Sequence, residues 1–299
     1  MARDDGLSSC PACPAPHHRR DGRALRALRL PHPFPTLLNA VAVVLLALVA
    51  ADGRPELGVT LRLAATMLAV QSAVGIVNDC MDRELDAVTK PWKPIPAGVV
   101  GVRTAWGLGA LAAALALVLG ATLGPAAWLL STAGLGVGLA YDLWLKRTPF
   151  SGLTYAVALP LVPLWVWTAL GQLTPALLWA WPVGALLGGA LHLANALPDL
   201  EADAAAGVRG LAQWLGRRRA LAGAWGGYLL AVLLAAALGL LLGHERGLLL
   251  LGAAAALALL GAAVGAFARR PGPAGLRLGW SLLAPGAALL AVTWLAALP

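Results

Sequence analysis

Residues 57–86 read LGVTLRLAATMLAVQSAVGIVNDCMDRELD. The first 22 positions hold a single charge, Arg62, whereas the last eight hold four acids and Arg83. Residues 175–203, PALLWAWPVGALLGGALHLANALPDLEAD, repeat the design: a long apolar run that ends in acids. Runs of about 20 apolar residues have the length that crosses a bilayer as a helix. The two acidic ends match in detail. Asn78, Asp82, Glu84 and Asp86 correspond to Asn195, Asp199, Glu201 and Asp203, offset by 117 residues at every position. The chain has three Asn, of which two open these windows, and seven of its 14 acids lie inside them. Such a register points to an internal duplication rather than to chance clustering.

Outward from these two runs the same texture covers the chain. Apolar stretches bounded by charge, Pro or Gly fall near 35–51, 57–78, 104–122, 125–141, 153–171, 175–198, 219–242, 247–268 and 278–298. They are continuous rather than alternating, so they predict helices and not a barrel. Of the 299 residues, 60% are hydrophobic and 12% charged, about half the charge of a soluble domain. The expected fold is therefore all-α: a polytopic membrane protein of about nine transmembrane helices, in two pseudo-repeated four-helix units plus one. Residues 31–299 form that domain, and residues 1–30 are expected as a disordered tail.

Nineteen of the 22 Lys and Arg residues fall on one side of this topology, in the N-terminal tail and the even-numbered connections; Arg54, Arg62 and Arg246 fall on the other. Such a bias places the N-terminus and the acidic windows in the cytosol, and the protein in the inner membrane. Six Trp fall near each set of span ends, as interfacial aromatic belts do. The net charge of +8 then reflects topology and an anionic substrate or lipid, not nucleic acid. Residues 1–30 lack the apolar core of a signal peptide. Cys10, Cys13 and Cys80 give no disulfide framework; Cys10 and Cys13, with His17 and His18, sit in a Pro-rich stretch that reads as a tail with free thiols.

Helical spacing of i, i+4 and i+8 drifts by only about 40° per step. Asn78, Asp82 and Asp86 therefore share a face, as do Asn195, Asp199 and Asp203. Gln71 and Gly75 continue the first stripe into the membrane; Gly188, with His192 close by, continues the second. Asp79 lies off its stripe by about 100°, and Glu84 and Glu201 point away as solvated charges. Carboxylates gathered at the edge of a membrane repel one another unless a cation joins them. Carboxylate and amide oxygens suit Mg²⁺, which also binds substrate phosphates. Bases stand beside them. Lys90-Pro91-Trp92-Lys93-Pro94-Ile95-Pro96-Ala97-Gly98 cannot be helical, because its prolines remove donors and fix φ, and is expected as an extended strap. The chain uses only three Lys, two here and the third in Tyr141-Asp142-Leu143-Trp144-Leu145-Lys146-Arg147; Arg209 follows the second window. Acids that hold Mg²⁺ and bases that hold phosphate oxygens make a diphosphate site.

At this point the motifs resemble those of a known family. Asn78-Asp79-x-x-Asp82-x-x-x-Asp86 followed by Lys90-Pro91-x-Lys93-Pro94-Ile95-Pro96-Ala97-Gly98 is similar to the first signature of the UbiA superfamily of intramembrane prenyltransferases. Pro198-Asp199-x-Glu201-x-Asp203 with Gly207-x-Arg209 resembles its second signature, and Tyr141 with Lys146-Arg147 the inner-loop element between them. Lys93 stands where Arg is usual, Ala196 where an acid often precedes the Pro, and Gly210 where Thr is common. The resemblance implies that Asn78, Asp79, Asp82 and Asp86 hold one Mg²⁺ on a prenyl diphosphate and that Asp199 and Asp203 serve a second, with Asp82 and Asp199 central to catalysis. It implies that Lys93, Tyr141, Lys146, Arg147 and Arg209 contact diphosphate oxygens. Gln71, His192 and Asn195 are candidates for the acceptor pocket. The implied partners are a prenyl diphosphate, a lipophilic or aromatic acceptor, and membrane lipid. The implied reaction is ionisation to an allylic cation that a carbon of the acceptor captures.

A secondary transporter with an internal repeat and a carboxylate ion site is the rival from another class, though its site belongs near the midplane. Hydropathy excludes a soluble prenyl-diphosphate synthase. A CDP-alcohol phosphotransferase would carry D-G-x-x-A-R ahead of its acids, which is missing. A noncatalytic scaffold explains the spans but not the two windows in register.

Overall fold

The computed structural model describes residues 26–205 and 207–299. Cys10, Cys13, His17, His18 and most of the expected tail lie outside the described residues. Those residues form α1 (Pro33–Ala50), α2 (Leu57–Met81), α3 (Arg83–Thr89), α4 (Val102–Ala121), α5 (Pro125–Leu143), α6 (Ser151–Ala169), α7 (Ala180–Ala196), α8 (Leu200–Ala205), α9 (Leu211–Leu241), α10 (Arg246–Arg269) and α11 (Pro273–Ala296). Among the described residues, nine helical segments are long and apolar enough to cross a membrane. They start and stop within a few residues of the expected spans, except α9, which begins eight residues before position 219.

The packing shows the repeat. α1 packs on α2, α2 on α4 and α4 on α5; correspondingly α6 packs on α7, α7 on α9 and α9 on α10. α5 against α6 joins the two units, and α11 closes the bundle by packing on α10, α7 and α1. Small residues permit the close approaches, as expected where lipid supplies no hydrophobic drive between helices. A Cβ at Gly188 would lie 2.6 Å from the Tyr155 carbonyl carbon, and one at Gly184 2.9 Å from Pro160 Cβ, so α6 and α7 meet backbone to backbone. In α5 only Gly138 serves this way, with Val74 of α2 at the spot; Gly134 and Gly136 face open space.

Two features depart from the sequence reading. The segment 90–100 is folded into successive turns rather than extended: Lys90 O accepts from Lys93 N, Lys93 O from Ala97 N, and Pro94 O from Val99 N and Val100 N. Its prolines sit where no donor is required, and buried Ile95 and Val100 pack with Leu30, Ile76 and Cys80. α9 is interrupted at Gly216, whose φ of 71° and ψ of 162° are open to glycine, so its first turns run at an angle to the span.

Candidate active site

The first acidic window is nearly one helix. Asp82, at φ −92° and ψ 6°, separates α2 from α3, yet Asp82 N still bonds Asn78 O, Asp86 N bonds Asp82 O and Lys90 N bonds Asp86 O. The face is thus kept across the break. What it presents is more divided than the spacing suggested. Asp79 and Asp86, seven residues apart and so within about 20° of each other, both reach Lys93, whose Nζ lies 2.7 Å from Asp79 Oδ1 and 2.6 Å from Asp86 Oδ2. Asp79 also bonds His32 Nε2 at 2.9 Å. Gly75 makes room for that ring: a Cβ there would lie 3.2 Å from His32 Cγ. Both carboxylates are buried, at 2% exposure. Burial alone would pull the Lys93 ammonium down, but its bonds to Asp79 and Asp86 and their charges outweigh that and hold it above the usual value.

Asp82 faces the other way, toward the loop after α5. Lys146 Nζ lies 2.8 Å from Asp82 Oδ1 and 3.7 Å from Asp142 Oδ1, and Arg147 Nη2 lies 3.6 Å from Asp82 Oδ1. Asn78 donates its Nδ2–H to Asp142 Oδ1 at 2.7 Å, which leaves its side-chain Oδ1 without a partner among the described residues. Asp142 is buried at 2% exposure, and its Oδ2 has no partner among the described residues. The second window joins from α7 and α8. Asp203 lies within electrostatic reach of Asp82, Asp199 and Lys90, and Tyr141 within reach of Asp82, Asp142 and Asp203. Exposed Asp199 pairs with Arg277 at 3.0 Å, and Glu201 pairs with Arg217 at 3.0 Å. The loop that carries Arg209 is seated on the Lys146 loop, because a Cβ at Gly210 would lie 3.1 Å from Lys146 O. A threonine there would require this contact to open. Arg209 itself is exposed.

The structure therefore brings together Asn78, Asp82, Tyr141, Lys146, Arg147 and Asp203, with Asp199 nearby. It turns Asp79 and Asp86 into a clamp on Lys93. His192 is buried beside Tyr141 and Tyr155, whereas Asn195 is exposed. Gln71 lies apart, lining a cavity of about 80 Å³ with Met67, Ser131, Gly134 and Trp165. Asp142, His32 and Arg277 were missed in the sequence. Asp142 did signal itself, as an acid closing an apolar span four residues before Lys146. His32 and Arg277 meet their partners across 47 and 78 residues, and no local pattern could mark them.

Among the described residues, no three Asp, Glu, His or Cys side chains converge closely enough to hold a metal ion by themselves. The donors nonetheless fit Mg²⁺. The amide and carboxylate groups of Asn78, Asp82, Asp199 and Asp203 offer hard oxygens, and Asp142 Oδ2 is a buried carboxylate oxygen without a partner among the described residues. Mg²⁺ commonly completes its shell with water and substrate phosphate rather than an all-protein cage.

An apolar groove of about 400 Å³ runs between α1, α6, α7 and α11, and its wall reaches Leu191, one turn before Asn195. Leu38, Leu45, Pro160, Leu187, Leu191 and Trp294 are among its walls. Leu38, Val41 and Leu45 on its α1 side are half-exposed, so it opens sideways toward lipid.

The comparisons agree with this geometry. A 4-hydroxybenzoate octaprenyltransferase of Vibrio atlanticus (strain LGP32) is 28% identical over 196 residues, covering 63% of this chain and 68% of that protein. A digeranylgeranylglyceryl phosphate synthase of Korarchaeum cryptofilum (strain OPF8) is 32% identical over 153 residues, 50% of this chain and 54% of its own length. A solved UbiA homologue from Archaeoglobus fulgidus bound to GPP and Mg²⁺ has the same fold, with a TM-score of 0.70 over 89% of this chain and 99% of that one, at 19% identity. None of these matches supports the transporter alternative. Residues 38–283 match the UbiA prenyltransferase family, so this chain is a member of that family, a prenyltransferase built into the membrane.

Proposed function

We propose that the protein transfers a prenyl group from a prenyl diphosphate to a lipophilic or aromatic acceptor, with Mg²⁺, at the cytosolic edge of the inner membrane. The observation that carries this reading is that Lys146 bridges Asp82 and Asp142 beside Tyr141, with Asp203 within electrostatic reach of Asp82 and Tyr141, on a helix bundle that also holds a large apolar groove. Asn78, Asp82, Asp199 and Asp203 would hold the metal. Bound Mg²⁺ would neutralise charge on the diphosphate and so ease cleavage of its C–O bond. Lys146, Arg147 and Arg209 hold phosphate oxygens as the leaving group gains charge. Lys93 stays with Asp79 and Asp86 and fixes the loop over the site. The prenyl tail lies in the groove, where apolar walls keep water from the allylic cation until the acceptor attacks and loses a proton.

The test uses membranes that contain the protein, labelled geranyl diphosphate, Mg²⁺, and either 4-hydroxybenzoate or a glycerol phosphate monoether as acceptor. A lipophilic labelled product and released diphosphate are expected. Asp82→Ala and Asp199→Ala should each lower turnover by about 10²-fold or more. Full turnover by both variants with Mg²⁺ chelated would sink the assignment.

A further inference from the structure

Three rings from three helices meet beneath the acids. Tyr141 of α5 stands edge-on to Tyr155 of α6 at 5.9 Å and to His192 of α7 at 6.4 Å, and Tyr155 lies 4.9 Å from His192. His192 is 5% exposed. It lies two helical turns before Asp199, about 10 Å deeper in the membrane. Its Nε2 is 2.9 Å from Ser151 Oγ, and that oxygen already accepts the Leu211 N–H at 2.9 Å. Ser151 is buried at 1% exposure. Its proton has no other acceptor among the described residues, and a buried hydroxyl does not leave its proton unused. Ser151 therefore donates to Nε2, and the His192 proton sits on Nδ1. The backbone holds this pair in place: a Cβ at Gly152 would lie 2.6 Å from Leu211 Cδ2 and 3.4 Å from His192 Cδ2.

From this geometry we infer that His192 is the acceptor-recognition residue, donating its Nδ1–H to an oxygen of a planar aromatic acceptor whose ring rests against Tyr155 and Tyr141, with Ser151 as the positioning residue that fixes the tautomer. The inference rests on the prenyl-transfer reading above and names its acceptor class. A cage for the allylic cation would present bare π faces. The His192 Nδ1–H has no partner among the described residues; such a donor repels a cation and suits an oxygen. Ring-on-ring packing likewise suits a flat acceptor more than a glycerol chain. Leu159, Pro160, Leu187 and Leu191 of the groove begin about a turn from Tyr155 and His192, so a tail in the groove and a ring in this box would meet.

The experiment measures KM for each substrate in the assay above. For His192→Phe the KM for 4-hydroxybenzoate should rise at least about tenfold, the loss of one hydrogen bond to a polar oxygen, with the KM for geranyl diphosphate unchanged. His192→Asn, which keeps an N–H near the Nδ1 position, should recover much of the loss. Ser151→Ala should shift the acceptor KM in the same direction by less, and it serves if His192→Phe does not fold, as judged by its melting temperature in detergent. The inference is overturned if both variants leave the acceptor KM within about twofold, if both KM values rise together, or if the wild type uses only the glycerol acceptor. That last result would leave the prenyl-transfer reading standing. A wild type with no Mg²⁺-dependent turnover of geranyl diphosphate would remove both.

Discussion

Lys93 shows how much one side chain carries. It is the shared counter-ion of two carboxylates that are 97–98% buried; without it Asp79 keeps only His32 and Asp86 only Lys90 at 3.8 Å, and a buried carboxylate so weakly paired is costly. Replacing it with Ala should destabilise the protein by about 3–5 kcal/mol, read as a lower melting temperature in detergent. Lys93→Arg should recover most of that, since it keeps charge and donors. Its raised value sets the sign of the pH dependence. Stability from the network is complete below the unfolded Lys value of about 10.4 and is lost only as pH rises through the still higher folded value, so activity should show no limb from Lys93 between pH about 6 and about 9. Of this site the sequence made the windows legible, because acids are scarce and cluster in register. It did not reveal that Asp79 and Asp86 face a lysine while Asp82 faces the next loop. A break at Asp82 that still keeps its hydrogen bonds leaves no mark on the residue pattern.

Among the elements, the α6–α7 pair fixes the aromatic box, since Tyr155 and His192 stand on facing helices held together through Gly184 and Gly188. Gly188→Ala should push Tyr155 away from His192 and cost about 1–3 kcal/mol, because its Cβ would meet backbone that cannot rotate aside. Gly189→Ala is the control. Nothing lies within 4 Å of its Cβ, and a helical Gly to Ala change in open space is neutral or stabilising. Equal melting temperatures for the two variants would contradict this account of the packing. Span positions were readable from hydropathy because lipid demands long apolar helices. The turns of 90–100 and the bend at Gly216 were not. In the first, long-range burial of Ile95 and Val100 chooses among conformations that proline permits. In the second, one glycine inside an otherwise helical stretch gives no warning of a positive φ.

For the whole molecule, the two four-helix units place their acidic ends on the same side, and the basic loops lie there too. With Cys10 and Cys13 replaced by Ser, a cysteine at Gln172 should react with a membrane-impermeant maleimide in intact cells. One at Pro149 should react only after permeabilisation, and the reverse pattern would invert the proposed topology. The groove beside α1 and α11 is flanked by exposed Leu38, Val41 and Leu45, so a prenyl donor seated there, as proposed, would arrive from within the lipid. Bulk molarity is then the wrong measure of how much donor the enzyme meets. On that proposal saturation should follow the mole fraction of donor in the bilayer, and diluting a fixed amount of donor with more lipid should slow the enzyme even when the total volume never changes.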